Sequence, residues 1–325
     1  MKHSIVNDDQ LDGIESYEVT PTRKERELII LAEEAADSVL ASYGVPRPPI
    51  DPAKVHVIER HGTYQATKGK LSGGFSTLET ERMVIDRKVE DLDFALTGTH
   101  EILHQKSPKS IRVVTSKKTG KYKTEMHRSG IQMYARDNTI AWLGKIEEAI
   151  VTEITHESRD IFYKNNPLFA TQIKETEMLK SQLHELVDSS RFKNTTKKRF
   201  HSRINDLLFV PQAKKMIEDA YKNDISDINE KKEAVWKYFN EASTRADLDW
   251  SLIVKGRHKE RYRFKSLCER ISEASKDEFK STNEVFTAFV QANYSGNILD
   301  LVRKIETSLG KGSFRRIAEE LSEAG

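Results

Sequence analysis

An α+β fold is what this 325-residue sequence predicts, on three observations. Short alternating runs rich in β-branched residues are confined to the stretch between residues 55 and 134. Helical periods flank and interrupt those runs, and beyond Pro167 every periodic segment is helical. The order of elements divides the chain into a loose N-terminus at 1–20, a mixed region at 21–165 and an all-helical region at 166–325.

Each element has a local justification. Thr22-Arg23-Lys24-Glu25 fits a capping box, and Leu28, Ile29, Leu31, Ala32, Ala35, Val39 and Leu40 follow at helical spacing up to Gly44. Pro46, Pro48, Pro49 and Pro52 hold an extended connector. Val55-His56-Val57-Ile58 alternates like a strand, and 74–78 and 82–85 read as further strands. A helix follows, with apolar positions 89, 92, 96 and 103. Acidic residues 90, 91 and 93 crowd its first turn, where the helix dipole favours negative charge, and Ser107-Pro108 ends it. Segments 111–115 and 122–126 flank Lys117-Lys118-Thr119-Gly120, a hairpin signal, and 131–134 extends that sheet. A second helix covers about 139–156, with Trp142, Leu143, Ile146, Ile150 and Ile154 on its apolar stripe. Helical periods then recur at about 170–188, 196–207, 211–222, 228–245, 259–275, 283–291, 297–308 and 313–323.

Composition narrows the class. Hydrophobic residues make up 37% and charged residues 32% of the chain, a balance that fits a soluble protein with much exposed helix. No apolar run approaches the length needed to span a bilayer, and the first ten residues lack the apolar core of a signal peptide. The single cysteine, Cys268, excludes an intramolecular disulfide framework and a cysteine-based zinc knuckle. A cytoplasmic protein with no membrane partner is expected. The net charge of +2 creates no global field toward nucleic acid. The basic runs at 193–203 and 255–265 read as solvated helix faces whose aromatics point inward, so nucleic acid is not an expected partner. Phe286, Phe289, Val290 and Tyr294 read as helix core, as do Trp236, Tyr238, Phe239 and Trp250, and Cys268 as a buried small apolar residue.

The chemistry concentrates in His100-Glu101-Ile102-Leu103-His104. Two histidines four apart on a helix lie on one face, so both imidazoles reach a single Zn²⁺. Glu101 sits at the edge of that face, poorly placed as a third ligand and well placed as a general base toward a polarised water. Ile102 and Leu103 supply the apolar contacts that bury such a helix. The competing reading is an amphipathic helix whose histidines are ordinary polar positions. A catalytic zinc needs a third protein ligand. No histidine occurs in 105–114, and the second helix offers Glu147, Glu148 and Glu153.

With these residues the chain resembles the gluzincins, the thermolysin-like clan of zinc metallopeptidases. Their third ligand is a glutamate on a later helix, within a run like Asn-Glu-Ala-Ile-Thr/Ser-Asp/Glu. Glu147-Glu148-Ala149-Ile150 matches that run, with Glu148 at the ligand position and Glu147 in place of Asn. The resemblance covers about residues 24–165, and its element order (helix, strands, motif helix, hairpin, glutamate helix) is minigluzincin-like. It implies a zincin-like catalytic region holding Zn²⁺ through His100, His104 and Glu148. It also implies Glu101 as the catalytic base and a peptide or protein substrate whose peptide bonds are hydrolysed.

An extended peptide would then lie along an edge strand upstream of the motif helix, for which 73–77 is the candidate. His127, Tyr134, His156 and Tyr163 are candidate donors to the developing oxyanion. The family's outer acid would fall at Thr152, with Glu153 one place further, which leaves Glu147 and Glu153 open as alternative ligands. Lys106 stands where the extended pattern prefers an apolar residue, as a frayed helix end would allow. Two other readings compete. In one the zinc site is latent and the helical half serves as a binding or regulatory module. In the other the motif is accidental, in a helical interaction or nucleic-acid-binding protein.

Overall fold

The computed structural model describes residues 14–66, 73–77, 82–88, 90–115, 120, 122–134, 141–188, 194–205, 249–275 and 277–323. The expected helices at 211–222 and 228–245 lie outside the described residues, as do Trp236, Tyr238, Phe239 and the side chain of Trp250. What is described is α+β, with two small sheets and helices on and beside them.

The first sheet has the order β1 (Val55–Ile58), β3 (Met83–Asp86), β2 (Gly74–Ser76), with β1 parallel and β2 antiparallel to β3. A parallel pair needs a crossover, here made through the short helix α2 (Gly62–Ala66) and β2. Alternation sorts the side chains of β3. Met83 and Ile85 join the main core, while Val84 packs with Ile14, Ile58 and Phe75 on the opposite face.

Helix α1 (Arg23–Ser42) begins with the predicted capping box, Thr22 and Glu25 satisfying each other's backbone N–H groups. Its buried face carries Leu28, Ala32, Ala35, Ala36, Val39 and Leu40. Small residues bring it close to α3 (Asp91–Lys106). A Cβ on Gly98 would meet Ala32 Cβ at 3.2 Å, so a larger side chain at 98 would push these helices apart. Thirteen of the sixteen residues of α3 are buried, which makes it the central helix rather than an amphipathic surface one. Its end is not frayed. Lys106 is inside the helix and buried, its Nζ 3.0 Å from Glu33 Oε1, 2.8 Å from Asp37 Oδ1 and 3.0 Å from the Pro48 carbonyl. A buried ammonium persists only with such partners, and here they bolt the C-terminal turn of α3 to α1.

The second sheet is an antiparallel meander, β4 (Lys109–Thr115), β5 (Tyr122–Ser129), β6 (Gln132–Tyr134) and β7 (Ala141–Trp142). The expected second helix starts later than its apolar period implies. Ala141 and Trp142 pair with β6, Leu143 adopts a left-handed φ of 64°, and only then does α4 (Gly144–Ile161) begin. Leu143 is held in this uncommon backbone region by full burial of its side chain.

The remaining described helices are α5 (Ala170–Asp188), α6 (Asn194–Asn205), α7 (Asp249–Ala274), α8 (Thr282–Ser295), α9 (Ile298–Leu309) and α10 (Ser313–Glu323). The core of α1, α3 and α4 continues through Phe264, Leu267 and Ile271 of α7 and Phe289 and Val290 of α8. Cys268 and Tyr294 are buried as expected. Asn293, also buried, accepts from the Ile131 N–H at 2.8 Å and donates to Ser107 Oγ at 3.3 Å, tying α8 to the end of α3 and to the β5–β6 turn. Among the described residues, no helix is long and apolar enough to cross a membrane.

Candidate metal centre

Helix α3 places His100 and His104 one turn apart, and α4 runs alongside to bring Glu148 opposite them. The two ring nitrogens face each other and the two oxygens of the Glu148 carboxylate, one oxygen toward each ring. His100 Nε2 lies 3.1 Å from His104 Nε2 and 3.2 Å from Glu148 Oε1, and His104 Nε2 lies 3.3 Å from Glu148 Oε2. Tetrahedral bonds of about 2.0–2.2 Å would set ligand atoms about 3.3–3.6 Å apart. The donor set, two imidazoles and one carboxylate, suits a divalent transition-metal ion, and small side-chain rotations would bring one oxygen and both nitrogens to that spacing.

The outer nitrogens fix which way the rings face. His104 Nδ1 lies 2.9 Å from Glu147 Oε1, and a carboxylate only accepts, so this Nδ1 carries a hydrogen. Thr155 Oγ1 gives its hydrogen to the Val151 carbonyl at 2.8 Å and is left to accept from His100 Nδ1 at a long 3.4 Å. Each neutral ring therefore turns an Nε2 lone pair inward, as metal-ligating histidines with an outer-shell partner do. In the metal-free chain a proton can take the ion's place. Burial disfavours a charged His104, but Glu147 and Glu148 outweigh it and hold its pKa well above the usual 6.5.

These contacts separate the three candidate carboxylates. Glu148 faces both Nε2 atoms, while Glu147 lies behind His104. Glu153 points away, with Oε2 2.6 Å from Arg261 Nη2 on α7. Thr152, where the outer acid was expected, donates to the Glu148 carbonyl one turn back. The outer contacts come instead from Glu147 and Thr155. A pattern of Glu at the position before the ligand could have pointed to the first, whereas nothing in the sequence marks Thr155.

Glu101 is buried beneath β2. Ser76 Oγ lies 3.2 Å from the Glu101 carbonyl and 3.3 Å from its Oε2. A Cβ on Gly74 would meet Glu101 Cγ at 3.1 Å and the Val84 carbonyl at 3.0 Å, so only glycine lets this strand lie so close. β2 is the end strand of its sheet, as expected for 73–77. Ser76 was not anticipated, because no spacing rule links it to Glu101.

The candidate oxyanion donors are not equivalent. His127 is exposed on β5, and His156 Nε2 accepts from Arg261 Nη1 at 2.9 Å. Tyr163 is committed to Thr99 Oγ1 at 2.6 Å inside the core. Among the described residues the buried Tyr134 hydroxyl has no hydrogen-bond partner, and burial together with the Glu147 charge pushes its pKa up. Comparison of the chain with protein-family models, with curated proteins and with solved structures gives no match.

Proposed function

We propose that this chain is a zinc-dependent metallopeptidase with a zincin-like catalytic region. The observation that carries the reading is the convergence of His100 Nε2, His104 Nε2 and a Glu148 carboxylate oxygen, with both outer ring nitrogens already engaged. Zinc held there would supply Lewis acidity, lowering the pKa of water toward neutrality and polarising a carbonyl. His100, His104 and Glu148 hold the ion, Glu147 fixes the tautomer and tilt of His104, and Thr155 does the same for His100. Glu101, adjacent to a ligand and turned toward the edge strand, takes a proton on its carboxylate and returns it to the leaving amine. Ser76 orients that carboxylate. A peptide substrate is read as adding to the outer edge of β2, an end strand among the described residues, whose backbone groups supply sequence-independent hydrogen bonds. A cytoplasmic location accompanies this reading, since the one cysteine is a buried thiol.

The test is peptide-library cleavage by the zinc-loaded protein and its Glu101→Gln variant. Loss of about 10²–10⁴-fold in rate, with zinc content unchanged, is the expected result for removal of a general base. Undiminished cleavage by the variant would reject Glu101 as that base. Closure of the site favours a second reading, a latent zinc site in a binding module, since the side chains of His100 and Glu148 are only 5% and 16% exposed. Zinc retention without chelator-sensitive cleavage would select that reading.

A further inference from the structure

The hairpin of α5 and α6 repeats the facing-histidine arrangement far along the chain. Each helix carries a histidine followed four residues later by an oxygen-bearing side chain, His184 and Asp188 on α5, His201 and Asn205 on α6. Antiparallel packing crosses the pairs. His201 Nε2 lies 2.8 Å from Asp188 Oδ1, and His184 Nε2 lies 2.9 Å from Asn205 Oδ1. The two remaining ring nitrogens, both Nδ1, face each other at 2.5 Å.

The rings are not stacked face to face. Their centres are 4.8 Å apart and their planes within 21°, and 4.8 Å is what the N···N distance plus one ring radius on each side amounts to. The nitrogens meet head-on and nearly in plane. Asp188 only accepts, so His201 carries its hydrogen on Nε2 and turns an Nδ1 lone pair toward His184. With Asn205 presenting its carbonyl oxygen, His184 does the same. Two lone pairs so close repel unless a cation lies between them.

We propose that this pair is a second metal site, taking a zinc-class divalent ion through the two Nδ1 atoms, with water completing the coordination. Imidazole suits such ions, and the outer Nε2–H groups are already held by Asp188 and Asn205, the arrangement that orients ligating histidines. The His201 side chain is 28% exposed, which admits the water ligands and lets the rings rotate apart to the spacing an ion needs. Two described ammonium groups flank the pair and contact backbone carbonyls, Lys180 also lying 3.6 Å from Glu177 Oε1. Lys197 Nζ donates to the Asp188 carbonyl at 2.6 Å and Lys180 Nζ to the Asn205 carbonyl at 3.4 Å, one at each end of the pair.

Titration of the metal-free chain with Zn²⁺ alone, read by calorimetry and by backbone hydrogen exchange, tests this independently of the α3–α4 centre. Zinc is expected to slow exchange across residues 180–205 by about tenfold or more once well above its dissociation constant. This protection persists in the His104→Ala chain, where one equivalent remains, and disappears together with that equivalent when His184→Ala is added. The exchange readout on the native chain needs no substitution, so a misfolded variant cannot obscure it. Absence of zinc-dependent protection at the hairpin, with the same stoichiometry in His184→Ala as in the native chain, would overturn the proposal. A pair that shares only a proton would give that result.

Discussion

Two pairs of histidines face each other among the described residues, and their surroundings differ. His100 and His104 share one buried helix, with Nε2 atoms 3.1 Å apart, while His184 and His201 come from two helices on a partly exposed hairpin, with Nδ1 atoms 2.5 Å apart. In both pairs an oxygen acceptor behind a ring turns a lone pair toward the partner ring. What separates them is burial and a third ligand. Glu148 faces both rings of the first pair, and little water reaches it. At the hairpin, solvent must supply whatever the protein does not. Tautomer control is therefore local, whereas a donor set of three side chains needs a second helix packed at the right rotation.

The comparison can be broken most sharply at His104. His104→Ala is expected to abolish zinc retention at the α3–α4 centre and to cost up to about 3 kcal/mol of metal-free stability, because Glu147 is left as a buried charge without its partner. Zinc content after gel filtration and urea unfolding report the two effects. Next in size is Glu147→Gln, which spares every ligand. Removing an outer-shell acid costs about 10–100-fold in metal affinity, so competition titration with a zinc chelator should show that loss. Glu153→Gln, whose carboxylate faces Arg261, should leave the affinity unchanged.

Acid sharpens the contrast further. Zinc has to displace the proton that Glu147 and Glu148 stabilise on His104, so apparent affinity should fall about tenfold per pH unit, beginning well above pH 6.5. Metal-free stability runs the other way. A raised folded-state pKa contributes fully below the unfolded value and is lost as pH rises through the folded one, so thermal melts of the metal-free chain should weaken across that interval. The smallest expected effect is that of Gly74→Ala. Its Cβ would press on Glu101 Cγ and on the Val84 carbonyl of the paired strand without touching a ligand, so zinc should stay bound while peptide cleavage falls by about tenfold.

Much of this centre was legible from residue order alone, because a helix converts a spacing of four into a shared face. The capping box, the strands around Val57 and Ile85 and the position of α3 follow equally local rules. Other features were out of reach for identifiable reasons. Neighbouring carboxylates on a helix differ by about 100° of rotation, so only the packing of α4 on α3 separates Glu148 from Glu147, and only α7 takes up Glu153. The start of α4 was misplaced because Trp142 and Leu143 fit a helical stripe, while pairing with β6 and a left-handed Leu143 postpone the first turn. Lys106 violated a pattern whose rationale is burial in apolar surroundings, and the partners that make its burial tolerable, Glu33 and Asp37, lie about seventy residues earlier. Ser76 and Thr155 reach the centre through tertiary contact alone.

Zinc-edge X-ray absorption on His184→Ala protein loaded with one equivalent of metal addresses the central assignment most directly. Two imidazole nitrogens and one carboxylate oxygen at about 2.0–2.2 Å are expected, both nitrogens being retained when Glu153→Gln is added and neither when His104→Ala is. A shell of oxygen ligands alone, or one that His104→Ala leaves unaltered, would contradict it.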